Sequence, residues 1–140
     1  MIPLRLVLDT NIVASAALKP AGLQRTVLSL ALTKPARLYL SAAIFQEYRD
    51  VLSRPEFHIR KGLRRQLLRF IKTKAHWVAP AGRLRVARDP DDNMFVECAD
   101  AARADYLVTG NIRHFPRYWK RTKIITSREF LSLAAPHILG

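Results

Sequence analysis

An α/β fold built on a mostly parallel sheet is predicted by two features of this chain. Short apolar runs alternate with stretches of helical hydrophobic period along its whole length. Polar triplets, Asp9-Thr10-Asn11 and Thr109-Gly110-Asn111, close two of those runs, and open parallel sheets bind ligands at such strand ends.

The elements follow in order. Leu4 to Leu8 reads as the first strand, and a helix from Ile12 to Leu18 stops at Lys19-Pro20-Ala21-Gly22, where Pro and Gly punctuate. A second helix runs from Leu23 to about Leu32 and ends before Lys34-Pro35. Arg37 to Leu40 is the second strand, and Ser41 is placed to cap the helix from Ala42 to Leu52. That helix puts Ile44, Tyr48, Val51 and Leu52 on one face, with Gln46, Arg49, Asp50 and Ser53 on the other. A basic helix over about Gly62 to Ala75 turns Leu63, Leu67, Phe70 and Ile71 inward. Trp77-Val78 and Leu84-Arg85-Val86 read as short extended pieces around Pro80 and Gly82. Asp89-Pro90-Asp91 turns into a helix from Asp92 to Ala104, whose Phe95, Cys98, Ala99 and Ala102 form a core stripe. Tyr106 to Val108 and Lys123 to Ile125 are the late strands, and Ser127 caps a closing helix to about Ala134. No repeat, linker or second domain interrupts residues 1–140.

The bulk numbers narrow the class. A chain of 140 residues with 49% apolar content is one domain with a proper core. Twenty-four Lys and Arg against 11 Asp and Glu leave a charge of +13, which suits a polyanionic partner such as nucleic acid. No apolar run reaches the roughly 20 residues that span a bilayer, so no membrane role is expected. Asp9 interrupts the N-terminal apolar stretch Met1-Ile2-Pro3-Leu4, so no leader is expected there. The single cysteine, Cys98, excludes an internal disulfide and a Cys-rich zinc cage, which fits a reducing cytoplasm.

Three carboxylates carry the chemical expectation. Asp9 follows a strand, Asp92 opens a helix, and Glu47 lies between inward positions of its helix. An Asp after a strand is ordinarily a turn former, and an Asp before a helix is ordinarily a cap. An inward Glu has no such everyday role and needs a partner or a shifted pKa. Brought together, the three repel one another unless a cation sits between them. Oxygen ligands without Cys or a His cluster suit Mg²⁺ or Mn²⁺ rather than zinc. His58, His76, His114 and His137 are scattered, and none is assigned to metal. Asp100 is expected to pair with Arg103, and Asp91 to serve the turn. Of the basic residues, Lys61, Arg65, Arg69 and Lys72 recur on one outward helical face, a pattern shared by solvated faces and phosphate-binding ones. A second group, Arg113, Arg117, Lys120, Arg121 and Lys123, follows Thr109-Gly110-Asn111 and is expected to touch nucleic-acid phosphates.

Val7-Leu8-Asp9-Thr10-Asn11-Ile12, Glu47, Asp89-Pro90-Asp91-Asp92-Asn93 and Leu107-Val108-Thr109-Gly110-Asn111 with His114-Phe115 resemble the PIN-domain family. More narrowly, the chain is similar to the VapC-like toxin ribonucleases of prokaryotic toxin–antitoxin pairs. The resemblance implies a Rossmann-like three-layer α/β/α sandwich and a Mg²⁺- or Mn²⁺-dependent endoribonuclease. By that likeness Asp9, Glu47 and Asp92 match the first three acidic positions, and Asn111 matches a fourth that is an aspartate in many relatives. Thr10, Asn11, Ser41 and Thr109 would orient the carboxylates or water. An antitoxin partner and a homodimer are implied in the same way. A receiver-type signalling domain, a non-catalytic RNA-binding module and a PIN-type RNA-processing nuclease without antitoxin are the competing readings. The receiver lacks its second adjacent acid, since Thr10 follows Asp9.

Overall fold

The computed structural model describes residues 4–135, and His137 and the segment Met1-Ile2-Pro3 lie outside them. Six strands form one sheet in the order β3-β2-β1-β4-β6-β5, namely β1 (Arg5–Leu8), β2 (Arg37–Leu40), β3 (His76–Trp77), β4 (Tyr106–Val108), β5 (Tyr118–Trp119) and β6 (Thr122–Ile125). Every pairing is parallel except that of β5 with β6. Leu6, Val7 and Leu8 are each wholly buried although successive strand residues face opposite sides, so helices cover both faces of the sheet. The α/β/α expectation holds.

The helices are α1 (Thr10–Leu18), α2 (Leu23–Ala31), α3 (Ala42–Leu52), α4 (Lys61–Lys74), α5 (Asn93–Ala102) and α6 (Ser127–Ala134). Ser41 does cap α3, its Oγ accepting from the Ile44 N–H at 3.3 Å. For α6 the cap is Thr126, not Ser127. Thr126 and Glu129 exchange side-chain to backbone bonds in a capping box, because Ser127 is already the first helical residue. The stripe of Phe95, Cys98, Ala99 and Ala102 is buried, and burial pushes the Cys98 thiol up to about 12.

Some expectations fail, each for a local reason. Leu84-Arg85-Val86 forms no strand. Instead the Leu84 N–H donates to Glu97 at 2.8 Å, and the Val86 and Ala87 N–H groups share Asn93 Oδ1 at 2.9 and 2.8 Å. Glu97 is therefore a loop anchor. The helix after Asp92 opens with a 3₁₀ turn over Pro90–Asp92, and the Asp89 side chain accepts from the Asp91 N–H. On α4 only Ile71 is fully buried; Leu63 and Phe70 are 58% and 49% exposed, because the helix touches its neighbours along a narrow strip.

Tyr48 ties α3 to the strand that carries the site. Its wholly buried hydroxyl donates to the Leu8 carbonyl at 2.5 Å, one residue before Asp9. Burial raises its phenol well above the usual range, so it stays a donor. Tyr48→Phe leaves that buried carbonyl without this partner and is expected to cost about 1–2 kcal/mol in urea unfolding.

Candidate active site

Parallel pairing places the carboxyl ends of β1, β2, β4 and β6 along one edge. Asp9 leaves β1 there, its N–H bonded to the Val108 carbonyl of β4 at 2.9 Å. Leu8 and Val108 are register partners, so Asp9 and Thr109 stand side by side although 100 residues apart. The Thr109 hydroxyl donates to Asp9 Oδ2 at 2.7 Å, and the Asn111 N–H donates to that hydroxyl at 2.9 Å. Asn11 Oδ1 reaches the Gly110 N–H at 3.4 Å. A Cβ on Gly110 would come within 3.2 Å of the Asn11 amide, so this approach favours glycine.

Asp9 is 6% exposed, and its carboxyl titrates above the usual range. Burial is the main cause; the Thr109 hydroxyl and the N–H groups of Thr10 and Asn11 pull the other way. Glu47, half-buried on α3, is raised by burial and by the charges of Asp9 and Asp91, while the Thr10 hydroxyl bonded to it opposes the shift. Asp92 is pushed up to about 6, by burial first and then by Asp9 and Asp89. His114 Nδ1 lies 3.4 Å from Asp92 Oδ2 and partly relieves it.

Asp9 is therefore the common neighbour of the other two acids, and the expected meeting of three carboxylates is realised in part. Among the described residues no three His, Cys, Asp or Glu side chains stand close enough to hold one ion as a finished cage. Still, the donor set fits a hard divalent cation: oxygen ligands that repel one another, with no Lys or Arg paired to Asp9, Glu47 or Asp92 among the described residues. Ser41 is buried as the α3 cap, and Asn111 is exposed at the rim. Sequence reasoning passed over His114, although it stands beside Phe115 within the last of the quoted motifs. It also gave Ser127 a cap, whereas its buried hydroxyl, just after β6, has no partner among the described residues.

The second basic group divides. Arg113 follows Asn111 at the acidic edge, and the Arg117 carbonyl accepts from the Ile124 N–H in the carboxyl half of β6. Lys120 and Arg121 instead form the turn before β6, at the opposite edge of the sheet. Antiparallel β5 carries the chain back across the sheet, so nearness in sequence to Asn111 does not survive folding. There Lys120 binds Asp100 at 2.9 Å and Arg121 binds Asp105 at 2.9 Å. Asp100 therefore pairs with Lys120 rather than Arg103, which also holds its carboxyl below the usual range.

Mutually repelling carboxylates at the carboxyl edge of a parallel, helix-covered sheet point to the class of protein. The PIN domain profile matches residues 5–113, and the chain belongs to the PIN domain family. It is similar to an uncharacterized protein of Methanocaldococcus jannaschii, 26% identical over 142 residues, which covers 93% of this chain and 91% of that protein. In fold it is similar to a chain in the crystal structure of VapBC2 from Rickettsia felis bound to a DNA fragment from their promoter. The TM-score is 0.58 at 16% identity, covering 88% of this chain and 98% of that one.

Proposed function

We propose that this protein is a Mg²⁺- or Mn²⁺-dependent endoribonuclease acting as the toxin of a cytoplasmic toxin–antitoxin pair. The observation that carries the reading is Asp9, buried beside like charges, with a hydroxyl as its hydrogen-bond partner and no basic side chain paired to it among the described residues. Family membership supports a nuclease and counts against the receiver alternative. Likeness to a VapBC2 chain supports the toxin assignment and an antitoxin partner, and a homodimer is proposed on the family resemblance.

Asp9, Glu47 and Asp92 would hold the cation, which when bound supplies acidity to water and neutralises charge building on the phosphate. The side chains around them serve to orient. The Thr109 hydroxyl, steered by the Asn111 N–H, fixes the Asp9 carboxylate, and the Thr10 hydroxyl fixes Glu47. His114 stands against Asp92 and is placed to set its charge. Arg113, exposed beside this edge, offers a cation for the scissile phosphate or its neighbour. Water attacks phosphorus in line with the departing 3′ oxygen, forming one P–O bond and breaking another. The products are a 5′-phosphate and a 3′-hydroxyl, and no protein nucleophile is needed.

Labelled single-stranded RNA incubated with Mg²⁺ or Mn²⁺ is expected to be cut internally, with cutting lost in EDTA and restored by excess metal. Retention of RNA without metal-dependent cutting would favour the non-catalytic RNA-binding reading. Cleavage without toxicity on expression would favour an RNA-processing role.

A further inference from the structure

The basic face of α4 does not simply point into solvent. It forms one wall of a cleft of about 430 Å³ against α3, lined by Phe45, Arg49, Arg65, Leu68, Arg69 and Lys72. The cations Arg49, Arg65, Arg69 and Lys72 are all exposed, and none makes a salt bridge among the described residues. The nearby Asp50 accepts from Gln46 at 2.9 Å. Such a concentration of unpaired positive charge calls for an anion.

At the end of the cleft stands an aromatic pair. The Trp77 ring lies 5.4 Å from that of Phe45, tilted by 59°, and remains 43% exposed. The Trp77 Nε1–H donates to the Lys72 carbonyl at 3.1 Å, which fixes the ring against the last turns of α4. Trp77 is the register partner of Leu40, the last residue of β2, so it shares the edge from which Ser41 and Asp9 emerge. Between Trp77 and the carboxylates lies the first turn of α3, where Ala42 and Ala43 are exposed and present only methyl groups.

We infer that the α3–α4 cleft is a single-stranded RNA subsite, in which Arg49, Arg65, Arg69 and Lys72 take backbone phosphates while a base stacks on Trp77. The inference rests on the proposed RNA substrate and adds where the chain beyond the cut is held. Fork-shaped guanidinium groups match phosphate oxygens, and a fixed, half-exposed indole offers a face to any base. An acidic peptide would satisfy the cations but leave the indole without a function. This basic group, and not Lys120 with Arg121, therefore joins Arg113 in handling RNA; those two are occupied by Asp100 and Asp105.

The test titrates the whole protein, in EDTA so that nothing is cut, into a short fluorescein-labelled single-stranded RNA of mixed sequence. Arg65→Ala combined with Arg69→Ala is expected to weaken binding about tenfold or more and to reduce the slope of log affinity against log salt by about 1.4. Trp77→Ala is expected to weaken binding about tenfold with the slope unchanged. Trp77→Phe, which keeps a ring on Phe45, should recover most of that loss. Lys120→Ala with Arg121→Ala should bind as the parent does. Unaltered RNA affinity and salt slope in the Arg65/Arg69 variant would overturn the inference. So would loss of polyglutamate binding with RNA binding intact, which would assign the cleft to an acidic protein. The two readings fail separately: RNA held in the cleft but left uncut when Mg²⁺ or Mn²⁺ is added removes only the nuclease, and metal-dependent cutting with cleft variants binding normally removes only the subsite.

Discussion

Asp9→Asn is expected to lower metal-dependent RNA cleavage by roughly a thousandfold while the domain stays folded. The Asn amide keeps an oxygen that can accept from Thr109, so the 2.7 Å bond joining the ends of β1 and β4 survives. What disappears is the charge that both Glu47 and Asp92 register as repulsion. Without metal the variant should therefore melt no lower than the parent, and an equal or higher melting temperature beside near-zero turnover is the signature of a functional acid rather than a structural one. Parental turnover in purified Asp9→Asn protein would end the assignment of Asp9 to the chemistry.

The second large effect is on stability against pH. Asp92 titrates at about 6 in the fold against 3.8 for a free side chain, so between those values the folded state holds the proton more tightly. Its contribution is fully present below pH about 4 and is lost as pH rises through about 6. The shift corresponds to about 3 kcal/mol at face value, and a side chain that is 18% exposed and partly screened should deliver about 1–2 kcal/mol. Urea midpoints of the parent and Asp92→Asn should therefore draw together in acid and separate at neutral pH, with the variant the more stable. Saturating Mg²⁺ or Mn²⁺ should reverse that order, adding about 2.7 kcal/mol to the parent at a hundred times its dissociation constant. A difference independent of pH, or a parent indifferent to metal, would remove Asp92 from the proposed ligand set.

Much of this was legible in the chain because local and distant cues agreed. The apolar runs of β1, β2, β4 and β6, the Ser41 cap and the Phe95 stripe each have one comfortable solution, and folding adopted it. The pairing of Asp9 with Thr109 followed from two strand ends that parallel neighbours must bring level. What escaped depends on contacts that no local window contains. The strand β5 is two residues long, too short for an alternating pattern, yet it sends Lys120 and Arg121 to the far edge. The exposure of Leu63 and Phe70 reflects how little of α4 its neighbours cover, which helical period alone does not reveal. His114 gained its meaning only when a 3₁₀ turn swung it against Asp92.

Both lateral borders of the sheet are two-residue strands, His76–Trp77 and Tyr118–Trp119. A foreign ribbon needs a long row of unsatisfied amides to zip onto, and neither border offers one. Copies of this chain are thereby denied fibre-like growth through their backbones. The proposed homodimer would therefore form through side-chain surfaces, where a twofold contact closes at two subunits.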